Sequence, residues 1–299
     1  MQFTPENIPA LEEAAKIPNL LLMFVSLIGM IGNANIISAT YRRKSLRSPS
    51  NIFIAFTAFG DFLHETGNIV SGYLAFTSNW VLPLDTCFNI QFVFTFGTGI
   101  SAIMLFLTAL DRLVCVLFPH KYNKWSKSVI ISGGITISFL AVALYIFYGY
   151  LHVEKAYRYC KVWSELPFDL STIFFVAGTI FVLLTIIFYV VIWGVLRYRN
   201  YQNSKQMLRS ITAVSMCICS GWLSSMLIIS YFLVVQLADD YNTVLYSGLP
   251  MEISVALNYP LLYSMSREYR AAFRRQLHSF TLGFLFIETK TESQVIALS

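Results

Sequence analysis

The sequence predicts an all-α membrane protein, a seven-transmembrane helix bundle with a short amphipathic eighth helix. Three observations carry that prediction. Hydrophobic residues make up 56% of the 299 and charged residues only 12%, with a mean hydropathy of +0.62, whereas soluble domains are about 25% charged. Seven stretches almost free of charge recur along the chain, each long enough to cross a ~30 Å hydrocarbon core as a helix. The basic residues follow these stretches with a strict alternation, 17 of the 21 falling on one side.

In order, helices are expected at about 17–41, 50–76, 86–118, 128–153, 168–196, 208–238 and 241–265, the bundle spanning 18–266. Residues 1–17 form a short N-terminal segment without the basic start of a cleavable signal peptide. Residues 267–280 read as an amphipathic helix and 281–299 as a polar tail. Basic residues follow the first (Arg42, Arg43, Lys44, Arg47), third, fifth and seventh helices. The positive-inside rule then puts the N-terminus outside and the C-terminus in the cytoplasm.

The first helix carries Asn33 and Asn35 in its apolar run, and a buried asparagine needs a hydrogen-bond partner on a neighbouring helix. The second is the most polar, with Asp61, His64, Glu65 and Asn68. Asp61, Glu65 and Asn68 share one helical face, so two carboxyls stand one turn apart, and either a proton or a cation between them relieves the repulsion. His64 reads as a packed histidine whose hydrogen bonds are satisfied within the protein. The third helix runs from Cys87 at one face to Asp111-Arg112-Leu113 at the other. That interval of 25 residues is roughly 37 Å of helix, enough to cross with some tilt.

Cys115, Cys217 and Cys219 fall at cytoplasmic or membrane positions, where thiols stay reduced. Cys87 and Cys160 remain as the outer pair, and a disulfide between them would pin the outer loop (152–168) to the top of the third helix. No His or Cys pair has zinc-ligand spacing.

The inner end of the third helix continues to Pro119 and Tyr122, seven and ten residues after Arg112. This run resembles the inner end of helix three in rhodopsin-like (class A) G-protein-coupled receptors. Gly32-Asn33-x-x-Ile36, Asp61, Ser101, Tyr189-x-x-Ile192-x-x-x-Leu196 and Pro260-Leu261-Leu262-Tyr263 fall in step with the same family. Departures are equally informative. Leu113 replaces the usual tyrosine, Phe181 stands for a proline, and Gly221-Trp222-Leu223-Ser224 lacks the kink-forming proline of helix six. Tyr259 precedes Pro260, which displaces Asn258 by one residue and would take it out of the polar core. This pattern is most similar to the nematode serpentine chemoreceptor class Srsx.

The resemblance implies a receptor without enzymatic activity that passes ligand binding to a heterotrimeric G protein. It assigns Asp111, Arg112, Leu113, Pro119, Tyr122, Tyr189 and Tyr263 to the switch and the G-protein surface. It implies a polar core of Asn33, Asp61, Ser101 and Asn258, with a sodium ion as the one metal. A ligand cavity is expected among Asn68, Gln91, Phe94, Thr95, Thr98, Trp222, Met226, Ile229, Leu249 and Glu252. Phe94 stands where amine receptors carry an aspartate, which argues for another small-molecule class. Glu252 either meets a polar ligand or bonds a neighbouring helix. With Ser204, Lys205 and Gln206 in place of an acid on helix six, Arg112 has only Asp111 to hold it, so basal signalling is expected. Thr289, Thr291 and Ser293 are candidate kinase sites for arrestin, and the expected location is the plasma membrane, including sensory cilia.

Two alternatives remain at this level. An acidic outer face (Asp85, Asp169 and others) suits a neuropeptide ligand. Asp61, Glu65 and Glu252 suit a proton-coupled transporter, although the internal repeat usual for such transporters is missing.

Overall fold

The structure, a computed structural model, describes residues 8–153, 156–162, 166–198, 205–234 and 241–277, with the side chains at 8–12, 14, 168, 205–209, 232–234 and 241–245 left aside. Its helices are α1 (Ile8–Arg42), α2 (Pro49–Phe76), α3 (Leu84–Leu117), a short α4 (Pro119–Tyr122), α5 (Lys127–Leu151), α6 (Phe168–Tyr198), α7 (Lys205–Val234), α8 (Tyr241–Ala256) and α9 (Asn258–Met265). Residues 267–277 are helical as well, while 278–280 of the expected eighth helix lie outside the described residues.

Five of these helices, α1, α3, α5, α6 and α7, are individually long and apolar enough to cross a membrane. The other two passes fall short for physical reasons. α2 has the length, 28 residues, but spends it on Asp61, His64, Glu65 and Asn68. The last pass is split into α8 and α9.

Two boundaries correct the expectation from sequence. α1 begins at Ile8 rather than 17, running through Pro18. The last pass, expected as one helix over 241–265, is interrupted at Leu257, whose backbone lies at φ −74°, ψ −9°. Pro260 has no N–H to give the Ala256 carbonyl, so the helix loses a rung there and re-forms from Asn258.

The helices close into a ring. α1 packs on α2, α8 and α9, α2 on α3, α6 on α7, and α7 on α8 and α9, while α3 touches α2, α5, α6 and α7 from the middle. Backbones approach most closely between α2 and α3. A Cβ on Gly60 would lie 2.4 Å from the Gly97 carbonyl oxygen and 2.7 Å from the Ser101 amide, so only glycine fits that crossing. The main apolar core runs from Ile36, Leu105 and Tyr189 to Trp222, Leu262 and Phe273. A second cluster around Phe53, Phe88, Ile100 and Met104 joins α2 and α3 to α5.

At the Cys87 end, β1 (Val81–Pro83) pairs antiparallel with β2 (Tyr157–Tyr159) in the register Val81 to Tyr159. The Cys160 amide donates to the Trp80 carbonyl at 2.8 Å, and the Trp80 ring lies 4.4 Å from that of Tyr159. The Cys87–Cys160 disulfide fastens this small sheet to the start of α3.

Candidate functional site

The residues singled out from sequence gather at two levels of the bundle, one at the Arg112 end and one at mid-depth. At the Arg112 end, α3 finishes with Asp111 and Arg112, each 6% exposed. Arg112 donates to Asp111 Oδ2 from Nη2 at 2.6 Å and from Nε at 3.2 Å. The same Oδ2 accepts from Ser50 in the first turn of α2, and Oδ1 accepts from the Tyr122 hydroxyl at 2.6 Å. Pro119 opens α4 with its fixed φ, which turns the chain and swings Tyr122 back onto Asp111. Burial, reinforced by the hydrogen bond to Asp111, raises the Tyr122 hydroxyl above its ordinary pKa, so it keeps the proton that it donates.

Leu113 packs on the main core, and Pro119 is exposed. Tyr189 bonds Ser215 of α7 at 3.0 Å, while the Tyr263 hydroxyl accepts from Arg274 at 3.4 Å. The two tyrosines therefore have separate partners, and Arg112 is held by its own neighbour. Of the helix-six positions read as lacking an acid, Ser204 lies outside the described residues, as do the side chains of Lys205 and Gln206.

At mid-depth, the carboxyls of α2 turn to different neighbours rather than confronting one another. Asp61 Oδ1 accepts from Ser101 of α3 at 2.5 Å, and Oδ2 accepts from Asn258 of α9 at 3.1 Å. The displaced Asn258 has not left this core, contrary to the sequence expectation: it opens α9, just past the interruption at Leu257, and bonds Asp61. Its Oδ1 is buried and has no hydrogen-bond partner among the described residues. Glu65 faces α1, where Asn33 Nδ2 donates to its two oxygens at 3.2 and 3.1 Å. It fills the space above Gly29, where an added Cβ would lie 1.7 Å from Glu65 Oε1.

His64 joins three helices. Its Nδ1 lies 2.9 Å from Thr98 Oγ1 on α3, and its Nε2 lies 2.5 Å from Glu252 Oε1 on α8. Thr98 gives its hydroxyl proton to the Phe94 carbonyl at 3.1 Å, so Nδ1 is the donor toward Thr98. One proton then lies between Nε2 and Glu252, whichever atom carries it. Glu252 Oε2 accepts from Ser26 of α1 at 3.4 Å, and Asn68 donates to Ser26 at 3.3 Å. A continuous chain of hydrogen bonds thus links Asn68, Ser26, Glu252, His64, Thr98 and the Phe94 carbonyl across α1, α2, α3 and α8. Glu252 bonds neighbouring helices, the blander of the two roles open to it in the sequence. Sequence reading left His64 and Ser26 out of the site, and the one available signal was the placement of His64 between two acids.

The remaining candidates for the ligand cavity spread more widely. Gln91, fully buried, donates to Ser71 at 3.0 Å. Phe94 packs over Gly67 beside Val162 of the outer loop. Thr95 is fully buried on α3. Trp222 donates to Thr179 at 3.4 Å and lies against Gly178, with Met226 half-buried beside the same core. Ile229 is half-buried one turn further along α7. Leu249 is the outlier, since it packs on the cluster of Ala15, Leu22 and Trp80 next to α1. Among the described residues no three His, Cys, Asp or Glu side chains converge as metal ligands.

Known proteins resemble the chain over part of its length. Residues 26–277 match the family model described as serpentine type 7TM GPCR chemoreceptor Srsx. The chain is 26% identical over 147 residues to endothelin receptor type B of Canis lupus familiaris, covering 47% of the chain and 33% of that receptor. It is 29% identical over 147 residues to bombesin receptor subtype-3 of Ovis aries, covering 47% and 36% respectively. Against neuropeptide Y receptor type 2 of Sus scrofa it is 31% identical over 166 residues, covering 51% and 43%. In each case the match spans less than half of the relative's length.

Proposed function

Because the chain belongs to the Srsx family of serpentine seven-transmembrane GPCR chemoreceptors, we propose that it senses a small molecule and signals to a heterotrimeric G protein. The observation that carries this reading is the held arginine. Arg112 is buried and, among the described residues, paired only with the adjacent Asp111, and Asp111 is in turn tied to α2 and α4 through Ser50 and Tyr122. Releasing that arginine opens a surface between α3, α6 and α7 for the G protein. The ligand enters from the Cys87 end, between the sheet-capped loop and the polar chain that ends at Thr98 and Phe94. Ligand contact near Thr98 or Trp222 changes how α3, α7 and α8 pack, and α3 carries that change to Arg112.

A sodium ion fits the mid-depth core. Asp61 supplies a carboxylate, Ser101 a hydroxyl and Asn258 a buried amide oxygen without a partner, all hard oxygen donors. When bound, the ion supplies positive charge that holds α2, α3 and α9 together. The receptor sits in the plasma membrane of a sensory cell, cilia included, with its N-terminus outside, as the distribution of Lys and Arg supports. Arrestin docking at Thr289, Thr291 and Ser293 belongs to the same reading. The relatives named above include a neuropeptide Y receptor, and a peptide is the second class of ligand to test.

The test is GTP-analogue exchange on several Gα subunits in membranes carrying the wild-type chain or Arg112→Ala. Basal exchange that disappears in Arg112→Ala supports the receptor. No exchange on any Gα, with small-molecule and peptide panels both applied, would overturn it.

A further inference from the structure

Where the loop after α1 meets the helix at 267–277, the protein leaves a cleft of about 280 Å³ lined by Arg43, Ser45, Arg267, Glu268, Ala271 and Ala272. Its walls are fixed from both sides. The Arg43 amide donates to the Ala39 carbonyl at 3.1 Å, and buried Leu46 anchors the loop. The helix is tied to α1 through Tyr269 to Thr40 at 3.2 Å and Gln276 to the Asn35 carbonyl at 3.3 Å. Arg270 ties it to α9 by donating to the Tyr263 carbonyl at 2.7 Å. Among the described residues, neither the Arg43 nor the Arg267 guanidinium has a hydrogen bond or ion pair with the protein. Two guanidiniums without protein partners and a serine hydroxyl thus line one cleft.

We propose that this cleft binds the phosphorylated headgroup of a phosphoinositide in the leaflet at the Arg112 end. The planar guanidinium matches phosphate oxygens two at a time, and a phosphomonoester on an inositol ring presents such oxygens to both walls. A serine phospholipid fits less well, because its own ammonium would meet Arg43 and Arg267. The surrounding sequence concentrates the same charge. Arg42, Lys44 and Arg47 flank the loop wall, and Arg270, Arg274 and Arg275 follow along the helix. Basic clusters of this kind beside the cytoplasmic ends of membrane helices draw anionic lipids to the surface. Glu268 is the one acid in the lining, and it limits the affinity.

The inference rests on the topology proposed above, in which this end is cytoplasmic, and the experiment separates the two. The purified full chain is placed in nanodiscs, which expose both faces, containing phosphatidylcholine with either a phosphoinositide or phosphatidylserine at equal formal charge. Retained lipid is counted by native mass spectrometry. The wild-type chain should retain the phosphoinositide about tenfold better, and Arg43→Gln or Arg267→Gln should each lose about tenfold, as expected for one charge-assisted contact. Glu268→Gln should gain a few-fold, and Lys124→Gln, an exposed charge elsewhere on the same face, should change nothing. Equal retention of the two lipids, or an equal loss in Lys124→Gln and Arg43→Gln, would overturn the site. A soluble inositol phosphate that displaces the lipid at matched concentration would overturn the lipid as its occupant. Sidedness is read separately by protease protection of a C-terminal epitope in intact cells, and its failure would move the site to the other leaflet without touching the binding result.

Discussion

The two polar levels of this protein solve the same problem under different dielectrics. At the Arg112 end, near the membrane boundary, one carboxylate collects donors from Arg112, Ser50 and Tyr122, and the ion pair is formed by adjacent residues. At mid-depth, Asp61, His64, Glu65 and Glu252 are spread over two helices, and each has only a few partners. At the Arg112 end the pair is buried as well, but it lies at the end of the bundle, where solvent or a docked partner takes up Arg112 once the helices part. In hydrocarbon no such replacement exists, so a lost partner leaves a buried polar group exposed to its full desolvation penalty. The mid-depth (upper) level is therefore built to hold the bundle, and the Arg112 (lower) level to let go.

The sharpest way to break that comparison is to cut the His64–Glu252 link. His64→Leu leaves Glu252 with Ser26 alone at 3.4 Å, and Glu252→Leu leaves Nε2 of the imidazole without its carboxylate. Each single variant should lose on the order of 3 kcal/mol of stability, the range for one partner removed from a buried pair. The double variant should recover most of that loss, since replacing both partners with apolar groups removes the orphan. Thermal unfolding of the purified chain in detergent completes the cycle. Additive losses in the double variant would show that the two residues act independently.

A smaller effect comes from the crossing that positions Asp61 against Ser101. Gly60→Ala would drive a methyl into the Gly97 carbonyl and the Ser101 amide, which belong to backbone and cannot turn aside. A cost of about 2 kcal/mol follows from overpacking. Gly133→Ala on α5, with nothing within 4 Å of the added carbon, should be neutral or slightly stabilising. Equal melting temperatures for the two variants would mean that α2 and α3 are not tightly crossed.

The level nearer water was also the more legible in the sequence. Asp111, Arg112, Pro119 and Tyr122 are close neighbours along the chain, so helix geometry and the turn imposed by proline nearly determine their meeting. Cys87 and Cys160 were readable for a different reason, as the two cysteines left once Cys115, Cys217 and Cys219 were assigned to cytoplasmic or membrane positions. The mid-depth level was not readable in this way. Asn33, Asp61, Ser101 and Asn258 were named through the family resemblance and the other acids by their cost in hydrocarbon, but the links from His64 to Glu252 and from Glu252 to Ser26 join α2, α8 and α1 through residues that no motif connects. Asn258 shows the limit most clearly. A one-residue displacement in a continuous helix would rotate it away from Asp61, yet in the structure, where the last pass divides at Leu257, Asn258 bonds Asp61. The start of α1 at Ile8 was missed because Glu12, Glu13 and Lys16 read as a polar terminus, although polar residues form helix readily where it projects beyond the membrane.

The finest test removes a single oxygen from the lower level. Tyr122→Phe keeps the ring, which lies 6.5 Å from that of Trp125, and deletes only the donor to Asp111 Oδ1. Asp111 then retains Arg112 and Ser50, so the fold should survive with little change in melting temperature. A hydrogen bond to a charged acceptor contributes about 1.5 kcal/mol, which corresponds to roughly a tenfold shift between the held and released states of Arg112. Basal GTP-analogue exchange should therefore rise by up to ~10-fold, and Tyr122→Phe combined with Ser50→Ala should raise it further. The same change at mid-depth, Ser101→Ala beside Asp61, should instead lower stability more than it alters basal exchange. If Tyr122→Phe destabilises the chain and leaves exchange unchanged, the lower level is a structural clamp like the upper one. The division of labour between them would then fail.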